Sequence, residues 1–200
     1  MKRIVLLALL ALAVPAASFA NTVVDFSNRG NISGSVSGLT MSNSELFSVT
    51  GLNGGGIITG NLGTVSFTTG ALMSGSLGMG GMFAGGGSFT VTGNGHHGIP
   101  SGTLFTGTFS GPVSWTLVTL ANGSHNYQLM GTVTGDLLGK PFDGAIEQLT
   151  DNTGTAFFTG HPIGSSGNTA VSPIPEPGSL SLLGTGVIAL AGLFRRRQKI

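Results

Sequence analysis

Two adjacent histidines, His96 and His97, are the residues of this chain whose type is best suited to metal binding or proton transfer. Adjacent side chains of an extended segment point to opposite sides, so the pair is poorly placed to hold one metal ion. The other histidines, His125 and His161, follow at no recognisable ligand spacing. We therefore interpret His96 and His97 as exposed loop residues, and we predict no metal site and no cofactor.

Four carboxylates cluster in the second half of the chain: Asp136, Asp143, Glu147 and Asp151. Such a cluster could form a calcium site or the acid pair of a glycoside hydrolase. The stretch lacks an EF-hand loop and the glycine-rich aspartate nonapeptide of calcium-binding repeats. We interpret it as a solvated acidic sheet face, with a secreted glycoside hydrolase as the less favoured alternative.

Trp115 and Tyr127 are the candidates for a sugar-stacking platform, and they make a carbohydrate-binding module the first alternative function. Trp115 alternates with Val113 and Leu117, however, which is typical of a side chain on the buried face of a strand. Core packing is therefore the favoured interpretation of Trp115.

The usual signatures of catalysis are missing from the chain. It contains no cysteine, no Gly-x-Ser-x-Gly elbow and no Walker A motif. Thiol catalysis, disulfides and cysteine metal sites are therefore excluded. We predict no catalytic residue and expect the protein not to be an enzyme.

Basic residues are concentrated at the two ends of the chain. Six of the eight lysines and arginines lie there: Lys2, Arg3, Arg195, Arg196, Arg197 and Lys199. Between Asn21 and Ile174, two positive charges (Arg29 and Lys140) stand against six carboxylates, so this region has a net charge of −4 with neutral histidines. Nucleic-acid binding requires many cations to neutralise phosphates, so nucleic acid is excluded as a partner.

The part of the chain that must position these side chains has a period of two. Val65 and Phe67, and then Phe89 and Val91, alternate with serine and threonine. This pattern is typical of half-buried antiparallel strands. The pair Asn122-Gly123, between 113–120 and 125–133, predicts a hairpin turn. About ten to twelve short strands without a clear helix predict an all-β domain, an antiparallel β-sandwich or jelly roll, with a β-solenoid as the competing fold.

Composition sets the predicted boundaries of this domain. Residues 21–158 form a Gly/Ser/Thr-rich β domain, in which Asn28 to Asn31 is a predicted turn cluster. The stretch Gly75 to Gly87 offers few side chains to pack and is predicted to be a mobile loop. Residues 159–172 lose the alternation and are predicted to be a Gly/Ser/Pro-rich linker.

Residues 1–20 have the organisation of a secretory signal peptide. Lys2 and Arg3 form the positive region, residues 4–14 are apolar, and Ser18-Phe19-Ala20 provides small residues at the cleavage positions. We expect export through the Sec translocon and cleavage between Ala20 and Asn21.

Residues 173–200 form a second signal at the opposite end. The triplet Pro175-Glu176-Pro177 is followed by an uncharged apolar run, residues 180–194, and then by Arg195, Arg196 and Arg197. We predict a single transmembrane helix over residues 180–194, which is short for a bilayer core of about 30 Å. The arginine cluster is predicted to be a cytoplasmic stop-transfer signal.

This combination of triplet, short span and arginine cluster resembles the PEP-CTERM sorting signal of Gram-negative bacteria. The resemblance implies that Pro175, Glu176 and Pro177 are recognised by an exosortase-type membrane protease, which cleaves nearby and releases the protein to the cell surface or extracellular matrix. Ile174 stands where valine is commoner in the family. The favoured function is therefore that of a non-enzymatic protein of the cell envelope or biofilm matrix, with exopolysaccharide as a candidate partner.

Overall fold

The computed structural model describes residues 23–174, which form eleven β-strands and one short 3-10 turn, Leu52–Gly54. The strands are β1 (Val24–Ser35), β2 (Gly38–Thr50), β3 (Ile57–Thr68), β4 (Leu72–Ser76), β5 (Gly80–Phe83), β6 (Gly86–Asn94), β7 (Ser101–Phe109), β8 (Val113–Thr119), β9 (His125–Leu137), β10 (Lys140–Thr150) and β11 (Ile163–Pro173). The prediction of an all-β antiparallel domain is confirmed.

The strands form one continuous sheet that closes on itself. Its order is β10-β11-β1-β2-β3-β6-β7-β9-β8-β5-β4, and β10 also pairs with β9. The hydrogen-bond ladder therefore runs from β9 through β10, β11, β1, β2, β3, β6 and β7 back to β9. The sandwich prediction implied two separate sheets, whereas here a single ladder forms a ring. The competing β-solenoid is not formed by the described residues.

Three lines of the ring are each built from two consecutive strands: β3 with β4, β5 with β6, and β7 with β8. The second half of β9 pairs with β7 and its first half pairs with β8, so β7 and β8 form one bent line along β9. In the same way β5 pairs with β8 while β6 pairs with β7. Each interruption lets a long strand bend without losing its neighbours. When each such pair of strands is counted as one line, the ring is a meander of eight antiparallel lines in which each pairs with the next.

The hairpin predicted at Asn122-Gly123 is present. It joins β8 to β9, whose ladder runs from Thr119 opposite His125 to Ser114 opposite Met130. The predicted alternation of β9 is present as well, because Tyr127, Leu129 and Val133 are all buried inside the ring.

The prediction of a mobile loop over Gly75 to Gly87 is wrong. This stretch contains the end of β4, all of β5 and the start of β6, and β5 pairs with both β4 and β8. Glycine is required where these strands touch. Gly75 has φ +81, and a Cβ added to it would clash with the carbonyl oxygen of Gly80. The lack of side chains therefore permits close backbone pairing.

The predicted linker, residues 159–172, is also wrong. Ile163–Pro173 forms β11, which pairs with β1 on one side and β10 on the other. The inward positions of β11 include Ser165, Gly167 and Thr169, which are small or polar. A strand with this composition lacks the hydrophobic alternation by which strands are recognised. The folded domain therefore extends to Pro173.

A group of buried, hydrogen-bonded side chains explains why Ser165 lies on the inner face of β11. Asn28, Ser44, Gln148 and Ser165 come from β1, β2, β10 and β11, and each is at most 4% exposed. Asn28 donates to Oγ of Ser44 at 2.9 Å, and Gln148 donates to Oδ1 of Asn28 at 2.8 Å. Ser165 donates to Oε1 of Gln148 at 3.3 Å. We call these four residues the polar network; it joins the first two strands to the last two.

Asn28 was expected in a turn and lies inside β1 instead. The register of β1 against β2 shifts on either side of the Asn28–Arg29 pairings, so a bulge replaces the predicted turn. This irregularity accompanies the inward placement of the Asn28 amide, which is fully buried.

Removing one amide of the polar network should destabilise the domain. We expect Gln148→Ala to lower the free energy of unfolding by about 2 kcal/mol, because Oδ1 of Asn28 loses its donor while remaining buried. Asn28→Ala should have a similar effect. Since both changes break the same contacts, the double variant should fall short of additivity by about 1 kcal/mol.

Urea unfolding of the four proteins in this cycle measures the coupling. Gln128→Ala is the matched control, because Gln128 bonds Glu147 on the exposed outer face and its loss should cost no more than about 0.5 kcal/mol. Strict additivity of the two buried changes would show that the amides do not act together.

The ring has two distinct ends. Val24 pairs with Val171, so the start of β1 and the end of β11 lie together. We call this the tail end; it also holds the connection 51–56, the connection 95–100 and the turn at Leu138 and Gly139. The opposite end, which we call the far end, holds the turn at Val36 and Ser37 and the connection 151–162.

The predicted signal peptide, residues 1–20, and the predicted transmembrane helix, residues 180–194, lie outside the described residues. So do the cleavage position Ala20–Asn21, the triplet Pro175-Glu176-Pro177 and the cluster Arg195, Arg196 and Arg197. Within residues 23–174, no helix has the length and apolar character needed to cross a membrane.

Candidate functional site

The two aromatic ligand candidates are core residues. Trp115 on β8 is 1% exposed and Tyr127 on β9 is 0% exposed. Their rings stack at 4.9 Å between centroids and 9° between planes, and Phe158 packs against both. A sugar-stacking platform requires an exposed ring face, so the assignment of Trp115 and Tyr127 as ligand residues is wrong. The interpretation of Trp115 as a core residue is confirmed.

The polar atoms of this aromatic cluster hold two connections at the far end. Nε1 of Trp115 donates to the carbonyl oxygen of Leu77 at 2.9 Å, and the hydroxyl of Tyr127 donates to that of Gly78 at 2.7 Å. The backbone N–H of Phe158 donates to the Tyr127 hydroxyl at 2.9 Å. The cluster therefore fastens the β4–β5 turn and the connection 151–162 to the ring, and its role is structural.

The histidines do not come together. His96 and His97 are exposed in the connection 95–100 at the tail end, as predicted, while His125 and His161 lie at the far end. His125 is mostly buried and stacks on Phe157 at 4.7 Å between centroids. Among residues 23–174, no three histidine or carboxylate side chains form a group that could hold a metal ion.

The four clustered carboxylates lie along β9 and β10, with Asp136 and Asp143 near each other at the tail end and Asp151 just beyond the far end of β10. Asp143 and Glu147 are exposed on the outer face of β10, and Asp136 is exposed near the end of β9. Asp151 follows the end of β10. At about 3.3 Å per residue, Asp143 and Asp151 are separated by more than 25 Å along the strand. This agrees with the prediction of a solvated acidic sheet face.

Arg29 and Glu45 form an ion pair on the outer face of the ring. Nε of Arg29 lies 2.8 Å from Oε2 of Glu45, and its guanidinium also lies 5.8 Å from the centroid of the Phe47 ring. The hydrogen bond and the charge of Glu45 raise the pKa of Arg29, which stays protonated throughout the accessible pH range. One of the two basic residues of the region is thus already paired.

The junction between β11 and the Pro-Glu-Pro triplet is the part of the site that sequence reasoning missed. Pro173 is the last residue of β11 and pairs with Phe142. Only Ile174 separates it from Pro175. A linker was expected here because β11 resembles one in composition. The triplet instead follows the folded ring almost directly, with a single residue between them.

Comparison with known proteins locates the functional signal in this C-terminal segment. No curated protein sequence and no solved structure matches the chain. The family model described as the PEP-CTERM protein-sorting motif matches residues 173–198, which confirms the recognition made from the triplet, the span and the arginines. The match begins at the last residue of β11. The chain therefore carries a PEP-CTERM sorting motif, the signal of an exported protein that an exosortase-type membrane protein processes.

Proposed function

We propose that this chain is a non-enzymatic protein of the cell envelope or extracellular biofilm matrix. It is exported as a precursor through the Sec translocon, and its signal peptide is removed between Ala20 and Asn21. The apolar run, residues 180–194, then holds the precursor in the inner membrane, with Arg195, Arg196 and Arg197 on the cytoplasmic side. Cleavage near Pro175-Glu176-Pro177 releases the folded ring to the cell surface.

The observation that carries this proposal is the position of the sorting motif. It matches residues 173–198 and starts where β11 ends, so the motif contributes only Pro173 to the described strands. The strands that close the ring are complete before Pro175. Removal of everything beyond the triplet would therefore leave the ladder of β11 against β1 and β10 intact.

A structural role for the ring is supported by the positions of its aromatic and acidic side chains. Its tryptophan and tyrosine are internal, and its clustered carboxylates are spread along an outer face. The outward positions of β3 and β6 are mostly threonine, serine and glycine, which are uncharged and suited to a hydrated matrix. Exopolysaccharide is the partner class that this surface would meet there.

Processing at both ends can be tested on the native protein. We expect intact-mass spectrometry of the surface fraction to find a chain that begins at Asn21 and ends between Pro173 and Leu180. Both cuts are compatible with the folded ring, because a chain from Asn21 to Pro173 or beyond keeps every residue of the paired ladder.

The membrane fraction of cells lacking the exosortase-type protease is the control, since it should contain a chain that begins at Asn21 and ends at Ile200. Full-length protein ending at Ile200 in the wild-type surface fraction would contradict the proposal, because the tail would then be a permanent anchor.

A further inference from the structure

We propose that the tail end of the ring rests on the lipid surface into which the sorting motif inserts, through the exposed side chains of Val23, Ile57 and Leu138. We call these three residues the apolar rim. The partner is a neutral bilayer surface. The inference rests on the proposed membrane insertion of residues 180–194, and it adds to that insertion a contact made by the folded domain itself.

The chain keeps the tail end close to the membrane. Pro173 ends β11 at this end, and the apolar run begins at Leu180. Seven residues span at most about 25 Å when fully extended. Before cleavage, the tail end therefore cannot move far from the bilayer, and side chains exposed there face lipid at a high effective concentration.

The apolar rim consists of large side chains that the core leaves in solvent. Val23 is 49% exposed, Ile57 is 69% exposed and Leu138 is 43% exposed. Val23 and Ile57 lie near each other, because Ile57 pairs with Thr50 and Thr50 pairs with Asp25. Leu138 lies at the same end in the turn between β9 and β10. Insertion of such side chains among lipid headgroups is favourable in proportion to the apolar area removed from water.

The backbone at Leu138 is a second, independent observation. Leu138 and Gly139 form a two-residue hairpin turn, and Leu138 has φ +50. Turns of this kind favour asparagine or glycine, and a branched apolar residue is unfavourable at positive φ. Since Leu138 is 43% exposed, leucine gains only part of the packing that a core position would give it. An apolar partner outside the ring accounts for a leucine at a position where the turn itself favours asparagine.

The charges around the tail end indicate which kind of lipid it meets. Asp25, Asp136 and Asp143 lie near this end, and Lys140 is the one lysine among the described residues. Three carboxylates against one ammonium group should be repelled by anionic headgroups. The apolar rim should therefore seat on zwitterionic lipid and should do so less well when anionic lipid is added.

The far end provides an internal comparison. It also exposes apolar side chains, among them Val36 at 68% and Phe157 at 48%. It lies at the opposite end of the ring from Pro173, so the tail does not hold it near the bilayer. A contact that depends on the apolar rim should be absent there.

The test uses the chain without its signal peptide, reconstituted into phosphatidylcholine vesicles. The chain contains no cysteine, so a single fluorophore can be attached at Gly56→Cys at the tail end or at Ser37→Cys at the far end. A Cβ at Gly56 meets no atom within 4 Å. Lipids that carry a nitroxide near the headgroup quench a fluorophore that touches the membrane surface. We expect quenching at position 56 to exceed that at position 37 by about twofold or more.

The variants separate seating from folding and from tethering. Val23→Ser, Ile57→Thr and Leu138→Asn together should reduce quenching at position 56 to the level at position 37, whereas Val36→Ser should not change it. Leu138→Asn alone should lower quenching at position 56 in part. It should also raise Tm, because asparagine suits positive φ, so this loss of quenching could not come from unfolding. Anionic lipid should weaken quenching at position 56, and added salt should restore it.

Two outcomes would overturn the inference in distinguishable ways. Equal quenching at both positions, or unchanged quenching in the triple variant, while the chain resists carbonate extraction, would refute the seating and leave the insertion standing. Extraction of the unmodified chain by carbonate would refute the membrane insertion of residues 180–194, and the seating with it.

Discussion

Changing Pro175 and Pro177 to alanine is expected to leave export intact and to trap the full-length chain in the inner membrane. Proline restricts φ and disfavours a helical conformation in the residue before it, and we expect this restriction to be part of what the exosortase-type protein recognises. Alanine removes that restriction while leaving the apolar run and the arginines unchanged. Immunoblots of fractionated cells should show the longer precursor as the main species in the membrane and little protein at the surface.

Pro141→Ala is the matched control for this experiment. Pro141 lies in β10 opposite Asp136, at the tail end but outside the sorting motif, so its loss should not affect processing. Surface protein of normal size and amount in the double-alanine variant would show that the triplet is not read. A loss of the exported chain from all fractions would instead indicate that the change prevents folding or export.

Trp115→Ala is expected to lower the free energy of unfolding by about 3–5 kcal/mol, the usual cost of emptying a buried aromatic site. The indole stacks on Tyr127 and packs against Phe158, and it holds the carbonyl oxygen of Leu77. Its removal therefore leaves a cavity and loosens both connections at the far end. Because Trp115 is the only tryptophan, unfolding in urea should be followed by circular dichroism.

Trp115→Phe separates packing from hydrogen bonding. A phenyl ring keeps much of the contact with Tyr127 but cannot donate to Leu77, so we expect a loss of about 1–3 kcal/mol. An alanine variant that unfolds at the same urea concentration as the unmodified protein would show that this cluster is not part of the cooperative core.

The strands that obey hydrophobic alternation could be predicted from the sequence. Val65 and Phe67 on β3, Phe89 and Val91 on β6, and Trp115 on β8 all lie in the core, and Asn122-Gly123 forms a turn as expected. These features depend on local chemistry alone. The sorting motif could be predicted for the same reason, since it is a linear signal read from consecutive residues.

Features that depend on distant partners could not be predicted. β11 carries Ser165 on its inner face because the polar network lies beside it, and no neighbour in the sequence reveals that partner. The glycines of β4 and β5 indicate a loop unless the close approach of the paired backbones is known. Closure of the ring depends on the pairing of β1 with β11, for which the sequence contains no local signal.

The pairing of β1 with β11 also sets the order of events during synthesis. Val24 leaves the ribosome early, but its partner Val171 emerges almost last among the residues of the ring. Until then β1 and β10 each present an unpaired edge, and a chain interrupted at that stage would be prone to join others through those edges. The entropic cost of closing this long loop is offset only after the end of β11 has been synthesised and can pair. The next residues to follow are those of the sorting motif, so the last strand of the ring and the sorting signal become available directly one after the other.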